Sequence, residues 1–553
     1  METVDWIIVL ALNGGVMAFG LWLARGTKTS ADWFLGKRTL AWWAIGLSIF
    51  ATNVDNADLV SMTGKTYTEG MHYVTVHTLG ALLGASFAAF WLVPAMARAG
   101  QFTNAEYLES RFGPSVRLLS ALIQIQYRTS MLGLMIWSVY LLLTTFLGLS
   151  AVMAWMLIVT IVAIAGIYTS WGGLRSVVFT DALQGVIMFI GMAVIFIAVW
   201  NAAGGWSSAV ETLKSQQPAA GHLAEISSFR GDDGATSPWV ILIAWIVIAG
   251  GYWSVNHSQT MRLAGARSIW DMKMAALFGV VISMPIMVGC IALGVLARSI
   301  YPDIDAIEAI KKADELYPFM ASQFLGVGLK GIVVAGMFAA AVSTFDSMGS
   351  ALSALFTRDI YARFISKNRE DSHYVLVSRL ATAGVLALGF AYIPFISAKS
   401  SNPDGTMLDA FLTLIPVFVT PLFTVYIIGV FTRAPRMAGI AGILTGALYG
   451  VIALVDREVR DVTWLASWFT SKWPAYTWAM VFTALGAGVA SIWFRDKPTE
   501  TTEKSTWLET SSSSLEKIPE HPFSKPPPRW ARPEVIAVAL IAIVAVLMFA
   551  FLW

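Results

Sequence analysis

The sequence predicts an all-α membrane protein that crosses the bilayer about fourteen times. Hydrophobic residues make up 57% of the 553 residues and charged residues only 13%, a balance typical of polytopic membrane proteins. Most of the apolar segments are long enough to cross the ~30 Å hydrocarbon core as helices. Two of the segments also carry polar residues at their centres, which predicts interrupted helices.

The apolar segments define the domain organisation. Residues 40–455 form the predicted core, 1–39 contribute a first span and a cytoplasmic loop, and 456–495 add another span. Residues 496–532, rich in Thr, Ser and Pro, predict a disordered cytoplasmic linker to a last span at 533–553. The approximate bounds of the segments are 6–24, 40–67, 71–97, 117–148, 150–170, 174–201, 237–258, 270–299, 328–356, 374–396, 407–431, 436–455, 474–494 and 533–553.

The positions of Lys and Arg predict the topology. With the N-terminus outside, the loops assigned to the cytoplasm carry 24 of the 37 Lys and Arg residues, and the opposite loops and span ends carry 11. Cytoplasmic loops are enriched in these residues, so both termini are predicted outside a plasma (inner) membrane. The net charge of +2 does not indicate a nucleic-acid partner, and the single cysteine, Cys290, excludes an intrachain disulfide.

The first predicted interruption lies in the second span, at Ala51–Asp58 (ATNVDNAD). A charge at bilayer depth costs at least about 2.5–3.5 kcal/mol, so such residues face a partner or a water-filled cavity. Asn, Asp and Thr also compete with the helix for backbone hydrogen bonds. This stretch therefore predicts a broken span that lines a site for a small polar solute and its coupling ion.

The second predicted interruption lies in the seventh span, at Ala249–Ser258 (AGGYWSVNHS). Its glycines loosen the helix, and Asn256, His257 and Ser258 bring polar groups to the same depth. The two interrupted spans are five apart, so they cross the membrane in opposite directions, as inverted repeats require. Paired interruptions of this kind indicate a transporter site, although each could instead be a kink packed by its neighbours.

The ninth span carries hydroxyl groups on one helix face. Ala340, Ser343, Thr344 and Ser347 follow the i, i+3, i+4, i+7 spacing that places residues on one side of a helix. Two hydroxyls, together with carbonyl oxygens from a broken helix, would supply the hard oxygen ligands that a small cation prefers. The alternative is that the hydroxyls donate to their own helix backbone, and the broken second span favours the cation site.

Three more charged residues lie at membrane depth. Asp181 and Asp346 could complete a second cation position with Ser343 and Ser347, one of them could carry a proton, or Asp181 could simply be solvated near the cytoplasmic side. Arg128 is permanently charged and suited to binding a carboxylate. Its predicted partner is either a substrate carboxylate or an internal carboxylate, Asp55 or Asp58.

Several motifs resemble those of the sodium:solute symporter family, whose members carry sugars, proline, sialic acid, choline or pantothenate. Residues 168–176 (YTSWGGLRS) followed by Thr180-Asp181 look like the family signature. Residues 256–268 (NHSQTMRLAGARS) are similar to a second family run, and residues 340–347 with 357–361 (TRDIY) look like the family's ion-binding helix. The resemblance covers almost the whole chain. It implies the leucine-transporter fold, with two inverted five-helix repeats, extra helices at both ends and alternating access.

The resemblance also implies ligands for sodium. No other cofactor is predicted, and the five-residue spacing of His72 and His77 argues against another metal site. The main sodium site would use the carbonyl oxygens of Ala51, Val54 and Ala340 and the hydroxyl groups of Ser343 and Thr344. A second site, which only some relatives have, would use Asp181, Ser343, Asp346 and Ser347. Tyr252, backed by Trp253, falls where relatives keep an aromatic gate below the substrate, and His77 lies near a substrate contact. The full set of candidate substrate residues is Asn53, Asp55, Asp58, His77, Arg128, Tyr252, Trp253, Asn256 and Thr413.

These residues predict sodium-coupled symport of a small polar organic solute. Asp55 and Asp58 stand where the sugar carriers have uncharged or different polar groups, and nearby aromatic rings attract cations. A zwitterion or organic cation is therefore favoured over a sugar or other polyol. Proton coupling and a solute-sensing receptor remain alternatives. An enzyme is disfavoured, because no His-Glu-x-x-His motif is present, and ATP-driven pumping is disfavoured, because no phosphate-binding loop is present. The sequence does not indicate an oligomeric state.

Overall fold

The computed structural model describes residues 1–24, 39–101, 103–171, 174–215, 237–304, 307, 310, 312–400, 406–458, 467–494, 506 and 518–552. The predicted loop at 25–38 and the two glycines of the 168–176 motif lie outside the described residues. All secondary-structure elements of the described residues are helices, which confirms the predicted all-α class.

The described residues form 22 α-helices. They are α1 Thr3–Ala24, α2 Trp42–Asn53, α3 Asn56–Glu69, α4 His72–Phe87, α5 Val93–Arg98, α6 Asn104–Phe112, α7 Pro114–Leu141, α8 Ala151–Trp171, α9 Leu174–Ala202, α10 Trp206–Ser215, α11 Pro238–Ser254, α12 His257–Ala264, α13 Ile269–Ile300, α14 Leu316–Phe324, α15 Leu329–Leu355, α16 Asp371–Phe390, α17 Ile393–Ser400, α18 Met407–Phe431, α19 Arg436–Glu458, α20 Ser467–Thr470, α21 Pro474–Trp493 and α22 Pro533–Leu552. Wider π-helical turns at Ala88–Leu92, Leu142–Phe146 and Phe356–Ile365 extend α4, α7 and α15.

The chain contains many helices that are suited to a bilayer. Ten helices in the described part are long and apolar enough to cross a membrane, or eleven if the bent pair α11 and α12 forms one span. The predicted count of about fourteen is not confirmed. It is reached only if the two shorter apolar helices, Ala151–Ile167 and Pro533–Met548, and the interrupted pair α2 and α3 are spans as well.

The first predicted interruption is confirmed. Helix α2 ends at Asn53, the next two residues are extended, and α3 begins at Asn56. Asp55 Oδ1 accepts a hydrogen bond from the Asp58 backbone N at 3.0 Å, and Asp58 Oδ2 accepts one from the Asp55 N at 3.3 Å. This reciprocal capping box satisfies two backbone donors at the start of α3. The two carboxylates that mark the break in the sequence therefore also stabilise it.

The second predicted interruption is also confirmed. Helices α11 and α12 meet at an angle of 58°, and Asn256 Oδ1 accepts a hydrogen bond from the Ser258 N at 3.1 Å. The carbonyl groups freed at the end of α11 are bound from outside the span. Asn104, at the start of α6, donates from its side-chain amide to the Ser254 O at 3.1 Å and to the Val255 O at 2.6 Å.

A charged network holds α6 in this position. Arg117 at the start of α7 contacts Glu109 of α6 at 2.5 Å and Asp359, beyond the end of α15, at 2.7 Å. Arg363 contacts the other oxygen of Glu109 at 2.6 Å. Burial raises the pKa of Glu109, but the two arginines more than offset this effect, so the pKa lies below its usual value. Helix α6 thus links the second interruption to the end of α15.

Two glycines allow α4 and α11 to pack at short range. Gly80 and Gly84 are one turn apart in α4, a spacing that brings helix backbones close together in membranes. A Cβ atom on Gly84 would lie 2.5 Å from the Ile246 O and 2.6 Å from the Gly250 N, and one on Gly80 would lie 2.5 Å from the Cβ of Trp245. Helix α11 therefore rests directly on the backbone of α4.

Substituting Gly84→Val should lower the unfolding temperature of the purified protein. The added side chain would meet backbone atoms that cannot rotate away, and overpacking of this kind costs about 1–3 kcal/mol. Gly384→Val in α16 is the matched control, because a Cβ atom there has nothing within 4 Å. Equal unfolding temperatures for the two variants would show that α4 and α11 do not depend on this close approach.

The predicted disordered linker needs a correction for the part that the structure describes. Residues 518–532 pack against the start of α13, where the Ile269 and Trp270 backbone N atoms donate to the Pro519 and Glu520 O atoms, both at 2.9 Å. Glu520 also pairs with Arg98 at 2.8 Å. These contacts satisfy backbone donors in the first turn of α13. Residues 496–505 and 507–517 of the same linker lie outside the described residues.

Candidate functional site

The hydroxyl groups of α15 meet the end of α2 at the first interruption. Ser343 Oγ donates a hydrogen bond to the Ala51 O at 3.2 Å, and Thr344 Oγ1 donates to the Ala340 O within its own helix at 3.0 Å. These four residues and Val54 are buried. The structure thus brings the unwound end of α2 and the hydroxyl-bearing face of α15 together. Neutral oxygens from both elements converge there, as a small hard cation requires.

Asp181 of α9 lies beside these hydroxyls. Ser343 Oγ donates to Asp181 Oδ1 at 2.7 Å, and Ser48 Oγ of α2 donates to Asp181 Oδ2, also at 2.7 Å. Ser347 Oγ lies 3.5 Å from the same Oδ2 atom. Asp181 is completely buried. Three of the four residues that the family resemblance implies for a second cation site therefore meet in the structure, and the alternative of an Asp181 solvated at the cytoplasmic side is wrong.

Asp346 is not part of this cluster. Its Oδ1 atom accepts a hydrogen bond from Thr169 Oγ1 of α8 at 2.6 Å, and its Oδ2 atom has no hydrogen-bond partner among the described residues. Asp346 and Ser343 are three residues apart, so they lie on neighbouring positions of α15, but the Asp346 carboxylate points toward α8. The implied grouping of Asp346 with Asp181 is not formed here.

Arg262 joins the Asp181 cluster, and sequence reasoning missed it. Its Nη2 atom lies 2.8 Å from Asp181 Oδ2, and both side chains are fully buried. Arg262 stands in the second family motif, on α12 just after the second interruption. The predicted seventh span ends at residue 258 and Arg262 counts among the basic residues of a predicted cytoplasmic loop, so no sequence signal marked it as buried.

A cavity of about 100 Å³ lies next to the first interruption. Five of the predicted substrate residues line it: Asn53, Asp58, His77, Tyr252 and Trp253. Sequence reasoning missed three further aromatic residues of the lining, namely Tyr127, Trp245 and Phe411. Asp58 is the only Asp or Glu among the lining residues that the structure describes, and it is partly exposed. The cavity is therefore an aromatic chamber with one carboxylate in its wall.

Hydrogen bonds and ring contacts hold several of these lining residues. The Tyr252 hydroxyl donates to the Thr52 O at 3.1 Å and accepts from Gln259 Nε2 at 2.9 Å. Tyr252 therefore lines the cavity and also contacts the backbone at the end of α2. The His77 ring stands edge-on to Trp245 at 4.3 Å between centroids.

Four predicted substrate residues do not line the cavity. Asp55 and Asn256 cap α3 and α12, and Thr413 Oγ1 donates to the Asp409 O at 2.7 Å. Arg128 is 1% exposed and lies against the Tyr252 and Tyr127 rings, at 5.4 and 5.6 Å. None of its guanidinium nitrogens has a hydrogen-bond partner among the described residues. The internal ion pair that the sequence suggested as one alternative for Arg128 is therefore not formed.

A charged cluster lies close in sequence to two of the lining residues. Lys65 lies one turn beyond the lining residue Met62 on α3, and Asp409 follows the lining residue Leu408 on α18. Lys65 Nζ contacts Asp409 Oδ2 at 3.0 Å, and Lys472 contacts the Oδ1 atom. These ion pairs connect α3, α18 and the segment before α21.

An interrupted helix pair that faces a hydroxyl-bearing helix, beside an aromatic cavity, is the arrangement of a secondary transporter. The chain belongs to the sodium:solute symporter family, whose sequence model matches residues 33–452. It is an integral membrane protein, its substrates are a small-molecule solute and Na⁺, and sodium is the coupling ion. The family is one of transporters.

Curated relatives match most of the chain at low identity. A sodium/glucose cotransporter 4 from Danio rerio is 26% identical over 493 residues, covering 83% of this chain and 73% of the relative. A sodium/glucose cotransporter from Vibrio parahaemolyticus is 27% identical, covering 82% and 84%. A sodium/myo-inositol cotransporter 2 from Rattus norvegicus is 26% identical, covering 95% and 82%.

Solved structures confirm the predicted fold class. A Na⁺-coupled sialic acid symporter in a substrate-bound, outward-open state aligns with a TM-score of 0.75 and 20% identity, covering 90% of this chain and all of that one. A nucleobase-cation-symport-1 family transporter, closed around bromovinylhydantoin, aligns with a TM-score of 0.52 and 14% identity, covering 87% and 98%. The shared architecture is the leucine-transporter-like fold.

Proposed function

We propose that this symporter carries a small zwitterion or organic cation across the plasma (inner) membrane, with both termini outside. The observation that carries the proposal is Asp58, a partly exposed carboxylate in a cavity walled by aromatic rings. Aromatic faces attract a cation by about 0.5–2 kcal/mol, and a carboxylate supplies the charge that an amine or quaternary ammonium group requires. A neutral solute would bring no counter-charge for Asp58.

The proposed sodium site lies at the meeting point of α2 and α15. Its ligands are the carbonyl oxygens of Ala51, Val54 and Ala340 and the hydroxyl groups of Ser343 and Thr344. The Ser343–Ala51 contact of 3.2 Å supports this site, because it brings one predicted ligand from each element within direct reach. A bound ion would take over the role of that hydrogen bond and hold the end of α2 against α15.

Coupling follows from this arrangement by differential affinity. Tyr252 contacts the backbone of Thr52 at 3.1 Å and also lines the solute cavity. An ion that orders the end of α2 would therefore also order one wall of the solute site. Each ligand then tightens the binding of the other, since both favour the same conformation. A membrane potential of 100 mV adds about 2.3 kcal/mol for each net charge that moves inward.

The Arg128 guanidinium supports a zwitterion rather than a simple cation. It is buried behind the Tyr127 and Tyr252 rings, and its nitrogens have no hydrogen-bond partner among the described residues. Arginine binds carboxylates with two parallel hydrogen bonds. A shift of the Tyr252 ring would open Arg128 to the cavity. The amine of a bound zwitterion would then face Asp58, and the carboxylate of the zwitterion would face Arg128.

A sugar or other polyol is the second candidate. The names of the curated relatives, which are glucose and myo-inositol cotransporters, favour it. The cavity also offers neutral hydrogen-bonding groups, since Asn53 Nδ2 donates to Ser283 Oγ at 3.3 Å and both residues line the cavity. Proton coupling and a sensing role without transport are the remaining alternatives, and the experiment below separates them.

A thermal-shift screen of the purified protein tests the solute class. Betaines, amino acids, quaternary ammonium compounds, carboxylates and sugars are each added in sodium buffer and in matched potassium buffer. We expect stabilisation by zwitterions or ammonium compounds in sodium buffer only, with uptake of the same compounds in proteoliposomes. Stabilisation by sugars alone would overturn the proposed class. Uptake that ignores sodium but requires a pH gradient would indicate proton coupling, and solute binding without uptake would indicate a sensor.

A further inference from the structure

A second and larger cavity lies beside the solute cavity. Its volume is about 520 Å³, whereas that of the solute cavity is about 100 Å³. Thr78 of α4 and Met284 of α13 line both cavities. These two side chains therefore form a wall that the two cavities share. The larger volume lies within the roughly 300–1,000 Å³ that is typical of small-molecule sites, and the smaller one lies below it.

The larger cavity is apolar. Its lining comes from α4 and the residue before it, α9, α10, α13 and α22. None of the lining residues that the structure describes carries a charge, and Thr78 supplies the one hydroxyl group among them. Val288 of α13 and Leu547 of α22 are 53% and 51% exposed, so one side of the cavity is open to the hydrocarbon of the bilayer. This lining suits an alkyl chain and offers no counter-charge to an ion.

The wall between the two cavities has a movable part. Met284 is half-buried, and a methionine side chain is unbranched and has three rotatable bonds. The next residue is Pro285, which lies inside α13 and cannot donate a hydrogen bond to the Val281 O. The helix is therefore least tightly bonded where Met284 stands. A rotation of the Met284 side chain is the smallest movement that would join the two cavities.

We propose that the larger cavity is a subsite for an alkyl group of the transported solute, which is therefore an amphiphile. Its ammonium or zwitterionic head lies beside Asp58, and its chain passes Met284 into the apolar cavity. This inference rests on the proposed function, because it assumes that the head binds in the smaller cavity. The shared wall favours the solute over a bilayer lipid as the source of the chain, because a chain beside Thr78 and Met284 lies next to the cavity that holds the carboxylate.

A chain-length series with the purified protein tests the proposal. The probes are trimethylglycine and tetramethylammonium, each with analogues in which one N-methyl group is replaced by butyl or hexyl. Binding is measured by thermal shift in sodium buffer. Each methylene group that leaves water for the cavity should tighten binding by about fourfold. Hexanol, which has the chain without the charge, should bind more weakly and compete with the hexyl analogues.

A cavity-filling variant and a matched control locate the chain. Ala292 lines the larger cavity but not the smaller one, so Ala292→Phe should abolish the gain from chain length and leave the affinity for the methyl compounds unchanged. Ala193 of α9 is also a half-buried alanine, and it lines a neighbouring cavity that Ala292 borders as well, but not the larger cavity. Ala193→Phe should therefore keep the gain.

The outcomes separate this inference from the proposed function. An affinity that does not rise with chain length in the wild type would overturn the inference, and this series decides it even if Ala292→Phe does not fold. A gain that survives Ala292→Phe would also overturn it, because the chain would then lie elsewhere. Hexanol that binds without competing with the hexyl analogues would show that the cavity holds bilayer chains independently of the solute, which contradicts the inference as well. If none of the ammonium compounds binds, the methyl compounds included, the proposed solute class is wrong and the inference falls with it.

Discussion

The double substitution Ser343→Ala with Thr344→Ala should abolish sodium-stimulated uptake while leaving the protein folded. It removes two of the five proposed ligands. Loss of a residue that only supports a metal ligand lowers metal affinity by about 10–100-fold, so we expect sodium affinity to fall by at least that factor. The fold should survive, because Thr344 donates only within its own helix. Asp181 also keeps its contacts with Ser48 and Arg262 when the Ser343 hydroxyl is removed. The loss of stability should be about 1–3 kcal/mol.

A matched control separates loss of the site from loss of buried hydroxyl groups. Ser299→Ala with Thr424→Ala also removes one buried Ser and one buried Thr hydroxyl, which donate to the Leu296 O and Thr420 O of their own helices. Both double variants are compared by unfolding temperature with and without sodium and by sodium-dependent uptake in proteoliposomes. The control should respond to sodium as the wild type does. An unchanged sodium response in the Ser343 and Thr344 variant would show that the ion binds elsewhere.

Asp58→Asn should weaken the binding of a cationic or zwitterionic solute by about 10–100-fold, the equivalent of one charge-assisted hydrogen bond of about 1.5–3 kcal/mol. The reason is that Asp58 lines the cavity and is partly exposed there. An Asn side chain still offers an oxygen to the Asp55 N, so the capping box at the start of α3 can persist. Solute affinity is measured by thermal shift in sodium buffer with the compounds that stabilise the wild type.

Asp55→Asn is the control for this experiment. Asp55 lies three residues away in the same capping box, but it is buried and does not line the cavity. Asn caps a helix about as well as Asp, so this variant should keep most of its solute affinity. Equal losses in the two variants would mean that the break itself, and not the Asp58 charge, determines binding. No loss in Asp58→Asn would exclude Asp58 as the partner of a solute cation.

Features encoded in short stretches of the chain could be predicted from the sequence. The two interruptions follow from local chemistry, because Asp55, Asp58 and Asn256 supply the oxygens that cap α3 and α12. The common face of Ser343 and Thr344 follows from helix periodicity alone. The family motifs then placed this face opposite the end of α2, and the Ser343–Ala51 contact agrees with that placement.

The sequence by itself therefore determined the membrane setting, the two breaks and the helix that carries the hydroxyl groups. Only the tertiary structure decided which charged groups meet. It placed Arg262 against Asp181, turned Asp346 toward Thr169 and put Arg128 behind Tyr252. The physical reason is that a helix period or a cap is encoded within a few consecutive residues, whereas the counter-charge of a buried group comes from another helix. Arg262 and Asp181, for example, are 81 residues apart in the chain.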